Sequence, residues 1–373
     1  MLILRLHCPL KIRGMSSPIA LPRPLQLLLA DVSRSFGLSL RLLPVQVRPA
    51  ISLAYLLARI SDTLADASNV TIAHRQNALH VWLKAVDSPL GLHGATHAHT
   101  WTNLLQAYRQ ASLPNAELIL LEQSGVCLQH LATLAPRDQE AIRRVMTPIG
   151  QGQELDLQRG LQPMALLDNE DDLNTYTWQV AGCVGRFWTD CLEHHLPHLL
   201  RLPVAQLRVL GEHYGCGLQR LNILLDAAQD LRSGRCYFPV QSLQNLGLTP
   251  EQLKQAVLQG HADVLVRLAP LQAQWFMRVE QSLRDGLRYS CALDNWRLRL
   301  ASALPALVGA ASLQLLRQQS TKSLTQRLKW PRAALQKHLL LLIVQGASCK
   351  ALERHFEQLL QAPACAHSAT IAP

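Results

Sequence analysis

Aromatic side chains are scarce in this chain, and several structural signals are missing with them. Phe, Trp and Tyr make up only 5% of the 373 residues, and we find few of the alternating β-branched runs that predict strands. The formal net charge is +10, but the basic residues are spread along the chain and form no dense stripe with interleaved aromatics. Since nucleic-acid-binding surfaces usually combine those features, we expect no nucleic-acid partner.

The cysteines show no pattern of pairing or metal binding. Their number, nine, is odd, and they form no CxxC motif, which argues against a disulfide framework or a zinc module and favours a reducing compartment. The aliphatic run 339–344 is too short to span a bilayer. The apolar stretches before residue 24 are broken by Pro9 and Lys11, which argues against export. We expect a cytoplasmic protein, with peripheral contact to the inner face of a membrane as an alternative.

Leu, Ala, Gln and Arg dominate the composition, and all four are good helix formers. With 49% hydrophobic residues, a chain of this length can bury a large core. We predict an all-α fold: an N-terminal extension over 1–24, a single helical domain over 25–360 and a C-terminal tail over 361–373. We expect a monomer.

Several boundaries follow from local signals. Pro136 and the Thr249-Pro250 pair are typical of helix starts, and Ser233-Gly234 is typical of a helix end. The pattern predicts one helix over 117–133 and a long one over 174–195. Three glycines, at 150, 152 and 160, predict a break or flexible joint.

Two acidic pairs stand out, Asp62/Asp66 and Asp226/Asp230. Each lies in a leucine-rich segment, and a spacing of four places both carboxylates on one face of a helix. Two such pairs facing each other would form the oxygen-lined cleft that Mg²⁺ prefers, and through Mg²⁺ a diphosphate could bind. For either pair alone, a solvated helix face is the ordinary alternative.

The surrounding motifs resemble those of the squalene/phytoene synthase family. They are SRSF at 33–36, YLLARISDTLAD at 55–66, YTWQVAGCVG at 176–185 and QRLNILLDAAQDLRSGRCYFP at 219–239. The four motifs occur in the family's order and spacing over about 25–318. Linked motifs of this kind are far more specific than a single DxxxD.

The resemblance implies an isoprenoid-synthase-type helical bundle around a central apolar cavity. It also implies head-to-head condensation of two prenyl diphosphates through a cyclopropylcarbinyl diphosphate. The implied catalytic residues are Tyr55, Tyr176, Asp62, Asp66, Asp226 and Asp230. The implied Mg²⁺ ligands are the four aspartates and Asn222. The implied diphosphate-binding residues are Ser33, Arg34, Ser35, Arg59, Gln219, Asn222 and Arg235.

Some of these residues also have structural interpretations. Arg59 could instead pair with Asp62 or Asp66 on its own helix, and Tyr55 and Tyr176 could be ordinary core tyrosines. Gly182 and Gly185 are interpreted as packing residues. The family's usual arginine before the first Asp of the second motif is Leu225 here, with Arg220 or Arg232 as candidate substitutes. An aromatic position on a late helix of squalene synthases is Ala301, four residues before Pro305.

Two histidine groups, His93/His97/His99 and His194/His195/His198, are a further candidate for metal binding. His194 and His198 could share a helix face, but Pro197 disturbs that geometry. No acidic third ligand is evident from the sequence, so structural histidines are the favoured interpretation.

Our first functional hypothesis is squalene synthesis from two farnesyl diphosphates, with reduction by NADPH. Lys322, Lys329 and Arg332 form a basic segment where the resemblance suggests that NADPH binds; a solvated basic loop is the alternative. Phytoene or dehydrosqualene synthesis would need no reductant. A non-catalytic assembly factor is the third hypothesis, which the presence of all four aspartates disfavours.

Overall fold

The computed structural model describes residues 21–33, 37–88, 95–111, 113–319, 324, 341–343, 345 and 347–361. Its helices are α1 Arg23–Val32, α2 Gly37–Leu42, α3 Arg48–Asp66, α4 Ile72–Asp87, α5 Ala95–Gln110, α6 Asn115–Glu122, α7 Ser124–Thr133, α8 Pro136–Arg159, α9 Glu170–Thr177, α10 Cys183–His195, α11 Val204–Arg232, α12 Val240–Gln244, α13 Pro250–Gln259, α14 Ala262–Val266, α15 Ala269–Cys291, α16 Trp296–Gln318 and α17 Cys349–Gln361. The all-α prediction is confirmed.

The only strands among the described residues form a two-residue parallel ladder. β1 (Ala165–Leu166) pairs with β2 (Arg235–Cys236), and Ala165 lies opposite Arg235. Gly234 precedes β2 with a positive φ of 80°, a conformation that favours glycine after a helix end. The ladder therefore fixes Arg235 directly after α11.

Two helices carry the acidic pairs, and both are held by buried leucine faces. On α3, Leu53, Leu57, Ile60 and Leu64 are completely buried. On α11, Leu207, Leu221, Leu224 and Leu231 are buried in the same way, with Pro203 preceding its first turn. Burial of one face at helical spacing leaves the aspartates on the face that points away from the core.

The core consists of two main clusters of buried apolar side chains. The first includes residues of α1, α3, α4, α7, α8 and α10, and the second is built on α11, α13, α15, α16 and α17. α11 packs against both α10 and α15, so it joins the clusters. α16 is, among the described residues, the one helix long and apolar enough to cross a membrane, but 67% of its most apolar stretch is buried inside the protein.

Three predicted boundaries were wrong. Gly150 and Gly152 lie inside α8, because helix packing needs small residues there: a side chain at either position would meet Leu83 or Val180. The helix predicted over 117–133 is interrupted at Gln123. The helix predicted over 174–195 contains a π-helical turn, Trp178–Gly182, between α9 and α10.

Candidate active site

The four motif aspartates line one cavity of about 720 Å³. Asp62 and Asp66 come from the end of α3, and Asp226 and Asp230 come from the last two turns of α11. The predicted convergence of the two acidic pairs is thus seen in the structure. Asn222, one turn before Asp226 on α11, and Gln219, two turns before it, also line the cavity.

Arg235 spans the two acidic pairs. Its Nε lies 3.7 Å from Asp230 Oδ1, and its Nη1 lies 4.0 Å from Asp66 Oδ1. The side chain is 40% exposed, so it keeps access to the cavity. A guanidinium held between carboxylates at this position is suited to fork onto phosphate oxygens.

The carboxylates crowd one another, and their pKa values reflect this. Burial, followed by the charge of Asp66, raises the pKa of Asp62 to about 6. Burial raises the pKa of Asp230 to about 6 despite Arg235, and Asp226 adds to the shift. Burial also raises the pKa of Asp66. Such a site favours binding of a cation, because a cation would stabilise the ionised carboxylates.

Residues that the motifs did not identify complete the cavity wall. The Gln153 side chain on α8 donates a hydrogen bond to Asp62 Oδ1 at 2.6 Å. Arg75 on α4 lines the cavity and donates to the carbonyl oxygen of Ala65 at 2.7 Å. Gln153 lies three residues before Asp156, so both side chains are on the same side of α8. This spacing is the one sequence signal that could have drawn attention to the two residues.

Asp156 anchors two tyrosines. Tyr176 and Tyr237 both donate their hydroxyls to Asp156 Oδ2, at 2.8 and 3.1 Å. Their rings are stacked with centroids 5.2 Å apart. All three residues line the cavity, and burial raises the pKa of Asp156 even though both hydroxyls favour its charged form. Tyr237 was not among the predicted site residues.

Several predicted residues lie away from this cavity lining. Arg59 forms an ion pair with Glu117 on α6 and lies 4.0 Å from Asp62. The interpretation of Arg59 as an ion-pair residue therefore holds in part, but its nearer partner is Glu117 and not an aspartate of its own helix. Tyr55 donates to the carbonyl oxygen of Val32 at 3.1 Å. Ser33, which is buried, follows the end of α1.

Other predictions fall outside the described residues. They concern Arg34, Ser35, Lys322, Lys329 and Arg332. The structure therefore describes neither most of the first motif nor the basic segment predicted to bind NADPH.

The departures from the family pattern have packing explanations. Leu225 packs against the second core cluster. Arg220 does not take the place of the missing arginine, because it bonds to Asn174 and lies 3.7 Å from Glu170, outside the cavity lining. Ala301 is buried within the first core cluster.

Comparison with known proteins identifies the family. The model of the squalene/phytoene synthase family matches residues 29–334. The chain belongs to this family, whose members are prenyltransferases of the head-to-head type.

Individual relatives divide between two products. A bifunctional lycopene cyclase/phytoene synthase of Colletotrichum graminicola is 31% identical over 248 residues, covering 64% of this chain and 38% of that protein. The squalene synthase BSS of Botryococcus braunii is 25% identical over 201 residues, covering 54% and 38%. The chain thus spans less than half of either relative's length.

The fold is shared with solved structures. TcSQS in complex with the ligand E5700 superposes with a TM-score of 0.71 at 18% identity, covering 90% of this chain and 89% of that one. At this identity the likeness concerns the fold alone.

Proposed function

We propose that the protein condenses two farnesyl diphosphates head to head, through a cyclopropylcarbinyl diphosphate, and reduces the product to squalene with NADPH. The observation that carries the proposal is the convergence of Asp62, Asp66, Asp226 and Asp230 on one cavity bridged by Arg235. The first step forms carbon–carbon bonds with loss of one diphosphate and one proton. The second would expel the other diphosphate, and NADPH, when bound, would supply the hydride that quenches the rearranged cation.

The residues of the cavity fit Mg²⁺. Every acidic side chain of the two motifs offers hard oxygen donors, and the amide of Asn222 adds another. The Oε1 atom of Gln153 is buried and makes no hydrogen bond within the described residues, so a water of a hydrated cation could donate to it. When bound, Mg²⁺ would neutralise diphosphate charge and act as a Lewis acid.

The protein's own groups would supply orientation and shielding. Gln153 donates to one oxygen of Asp62, and Arg59 lies 4.0 Å from the other, so both side chains would help to orient this carboxylate at the cavity. Arg235 would bind phosphate oxygens as a fork. The stacked Tyr176 and Tyr237 rings would present an aromatic face to a passing carbocation, an interaction of up to ~2 kcal/mol when desolvated. Ile149, Val180 and Ile223 line the same cavity and would limit access of water to that cation.

The product assay tests this proposal. Purified protein is incubated with Mg²⁺ and either farnesyl or geranylgeranyl diphosphate, with and without NADPH, and the extracted hydrocarbons are identified by mass spectrometry. We expect squalene from farnesyl diphosphate only when NADPH is present. The same C30 product with and without NADPH would contradict the squalene assignment.

Phytoene synthesis is the second candidate, because the Colletotrichum relative is named a phytoene synthase. It shares the first step but ends by proton loss. Formation of a C40 product from geranylgeranyl diphosphate, with no effect of NADPH, would favour it over squalene synthesis.

A non-catalytic role is tested separately. The double variant Asp62→Asn/Asp226→Asn keeps side-chain size but removes two carboxylates from the cavity. We expect it to lose product formation and to fail to rescue cells that lack the gene. Rescue equal to that by the wild-type protein would show that catalysis is not the function.

A further inference from the structure

A second group of side chains that could hold a metal ion lies far from the aspartate cavity. Asp138 in the first turn of α8 meets His194 and His195 in the last turn of α10, and one ligand atom from each residue lies within 4.8 Å of the others. Asp156 of the cavity is 18 residues further along α8, or about 27 Å along the helix axis. The two sites are therefore separate.

We propose that Asp138, His194 and His195 form a binding site for a borderline divalent cation, with Zn²⁺ as the best match. We call these three residues the histidine–aspartate site. Two imidazoles and one carboxylate are the donor set that Zn²⁺ binds in proteins, with a fourth position left for water or another ligand. Mg²⁺, which prefers oxygen ligands throughout, suits the aspartate cavity instead.

The geometry at the site needs little rearrangement. His195 Nε2 lies 2.8 Å from Asp138 Oδ1, and the two imidazole rings meet edge to face with centroids 4.5 Å apart. The Asp138 and His195 side chains are 9% and 12% exposed, so packing already holds two of the three ligands. Pro136 begins α8 and fixes the turn that carries Asp138.

The surrounding charges permit a cation. Arg208 Nε lies 2.7 Å from Asp190 Oδ1, and its Nη2 lies 2.6 Å from Glu193 Oε2. The charges of these three residues therefore largely neutralise one another. The carbonyl end of α10, where both histidines lie, also attracts positive charge.

Arg137 is the competing cation. Its Nη1 donates to His194 Nδ1 at 3.4 Å, which is a long bond that a metal could replace.

A path to the site exists. Asp138 and His194 line a second cavity, of about 750 Å³, which Pro197 and Ala141 also line. A cation entering there would clamp the start of α8 to the end of α10. Cys191 lies on the same cavity, but burial raises its pKa well above the ordinary value, so its thiol is a poor ligand.

The proposal is tested by calorimetric titration of the chelator-treated full chain with ZnCl₂. The protein carries Asp62→Asn/Asp226→Asn and is kept in excess MgCl₂, so that zinc binding at the aspartate cavity is suppressed. We expect one equivalent of Zn²⁺ to bind. His194→Ala and Asp138→Asn should each weaken binding by at least ~10-fold. Mutation of residues that only hydrogen-bond to a metal ligand already costs about 10-fold or more, and the loss of a ligand should cost no less. Replacing Zn²⁺ with Co²⁺ should give a visible absorption band that the same variants lose.

Two further variants sharpen the test. His198→Ala changes an exposed histidine in the next turn and should leave the stoichiometry and affinity unchanged. Arg137→Gln removes the competing cation and should tighten binding. Absence of zinc binding, or binding that His194→Ala and Asp138→Asn leave unaltered, would overturn the proposal. His194 is more exposed than Asp138, so His194→Ala remains informative even if Asp138→Asn unfolds the chain.

Discussion

At the scale of single residues, the cavity carboxylates lower the stability of the folded protein at neutral pH but are suited to bind a cation. Asp62 and Asp230 each bind a proton more tightly in the folded chain than in the unfolded one, with pKa values of about 6 against an ordinary 3.8. Their protonation therefore favours the folded state below about pH 4, and this contribution is lost as the pH rises through 6. At neutral pH, without a cation, the crowded carboxylates are a cost to folding.

Replacing Asp62 by asparagine should relieve part of that cost. Without Mg²⁺ at pH 7.5, we expect Asp62→Asn to raise Tm by roughly 1–3 °C. The gain is modest because the Asp62 side chain, although protein atoms surround it, is 45% exposed to the cavity, where solvent screens its charge. The gain should shrink at pH 5, where wild-type Asp62 is largely protonated. Differential scanning fluorimetry across this pH range measures both effects.

The matched control is Asp31→Asn, at an exposed acid on α1. Added Mg²⁺ should raise the Tm of this control as it does that of the wild type, and should raise that of Asp62→Asn less. An Asp62→Asn variant less stable than the wild type at pH 7.5 without Mg²⁺ would refute the electrostatic account.

Tyr237 should stabilise the fold through a charge-assisted hydrogen bond. Its hydroxyl donates to Asp156 Oδ2 at 3.1 Å, and bonds to charged groups contribute about 1.5–3 kcal/mol. We expect Tyr237→Phe to lower the free energy of unfolding by that amount in urea denaturation. Tyr108→Phe removes a 3.0 Å bond to the neutral carbonyl of Leu64 and should lose only about 1 kcal/mol. Equal losses would mean that Asp156 accepts these bonds as an uncharged acid.

The predicted and unpredicted site residues differ in where their signals lie. Asp62, Asp66, Asp226 and Asp230 could be found because a local spacing places each pair on one helix face. Asp156 becomes a site residue only through the packing of α8 against α3 and against the π-helical turn, and its spacing from Gln153 does not by itself indicate that packing. The partner of Arg59 was missed for the same reason, because Glu117 lies 58 residues away in sequence.

At the scale of secondary-structure elements, glycines allow close contact of α11 with α10 and with the π-helical turn. A Cβ atom at Gly185 would meet the backbone of Gly211, and one at Gly215 would meet the backbone of Ala181. Backbone atoms cannot move aside as a side-chain rotamer can. The glycines therefore let α11 approach α10 closely, and this approach fixes where α11 presents its aspartates.

Gly185→Ala should accordingly destabilise the protein. We expect a loss of about 1–3 kcal/mol or more in the free energy of unfolding, the range for overpacking a tight contact. Gly125→Ala is the control, because its Cβ would meet nothing within 4 Å on α7. There the loss of chain entropy in the unfolded state should stabilise the protein by about 0.4–1 kcal/mol. Urea denaturation of both variants decides the matter; a neutral Gly185→Ala would show that the helices can separate freely.

Helix ends were predictable where the sequence supplies a local signal. The helix start at Thr249-Pro250 and the proline at the start of α8 stand as predicted, and Gln252 completes a capping box with Thr249 that was not predicted. The glycines of α8 misled the prediction because their role is in packing and leaves the backbone helical. The π-helical turn arises next to Gly152 and Cys216, against which Val180 and Gly182 pack, so it depends on tertiary contacts.

At the scale of the whole molecule, the cavity lies where the two core clusters meet. The apolar face of α3 belongs to the first cluster, and the apolar face of the last turns of α11 belongs to the second. Each cluster contributes one acidic pair, and Arg235 reaches both. The sequence predicted a single helical domain and two acidic pairs that face each other. The division of the core into two clusters, each behind one acidic pair, could not be predicted because it depends on long-range packing.

Ligand binding at this junction should therefore stabilise both clusters together. With Mg²⁺ and inorganic pyrophosphate, we expect slower amide hydrogen exchange at the C-terminal turns of both α3 and α11, measured by mass spectrometry, because one ligand set would tie the two helix ends. Asp226→Asn should reduce protection in α3 as well as in its own helix, although Asp226 belongs to the other cluster. Protection confined to α11 in the wild type would mean that the acidic pairs bind separately, and the proposed joint site would then be wrong.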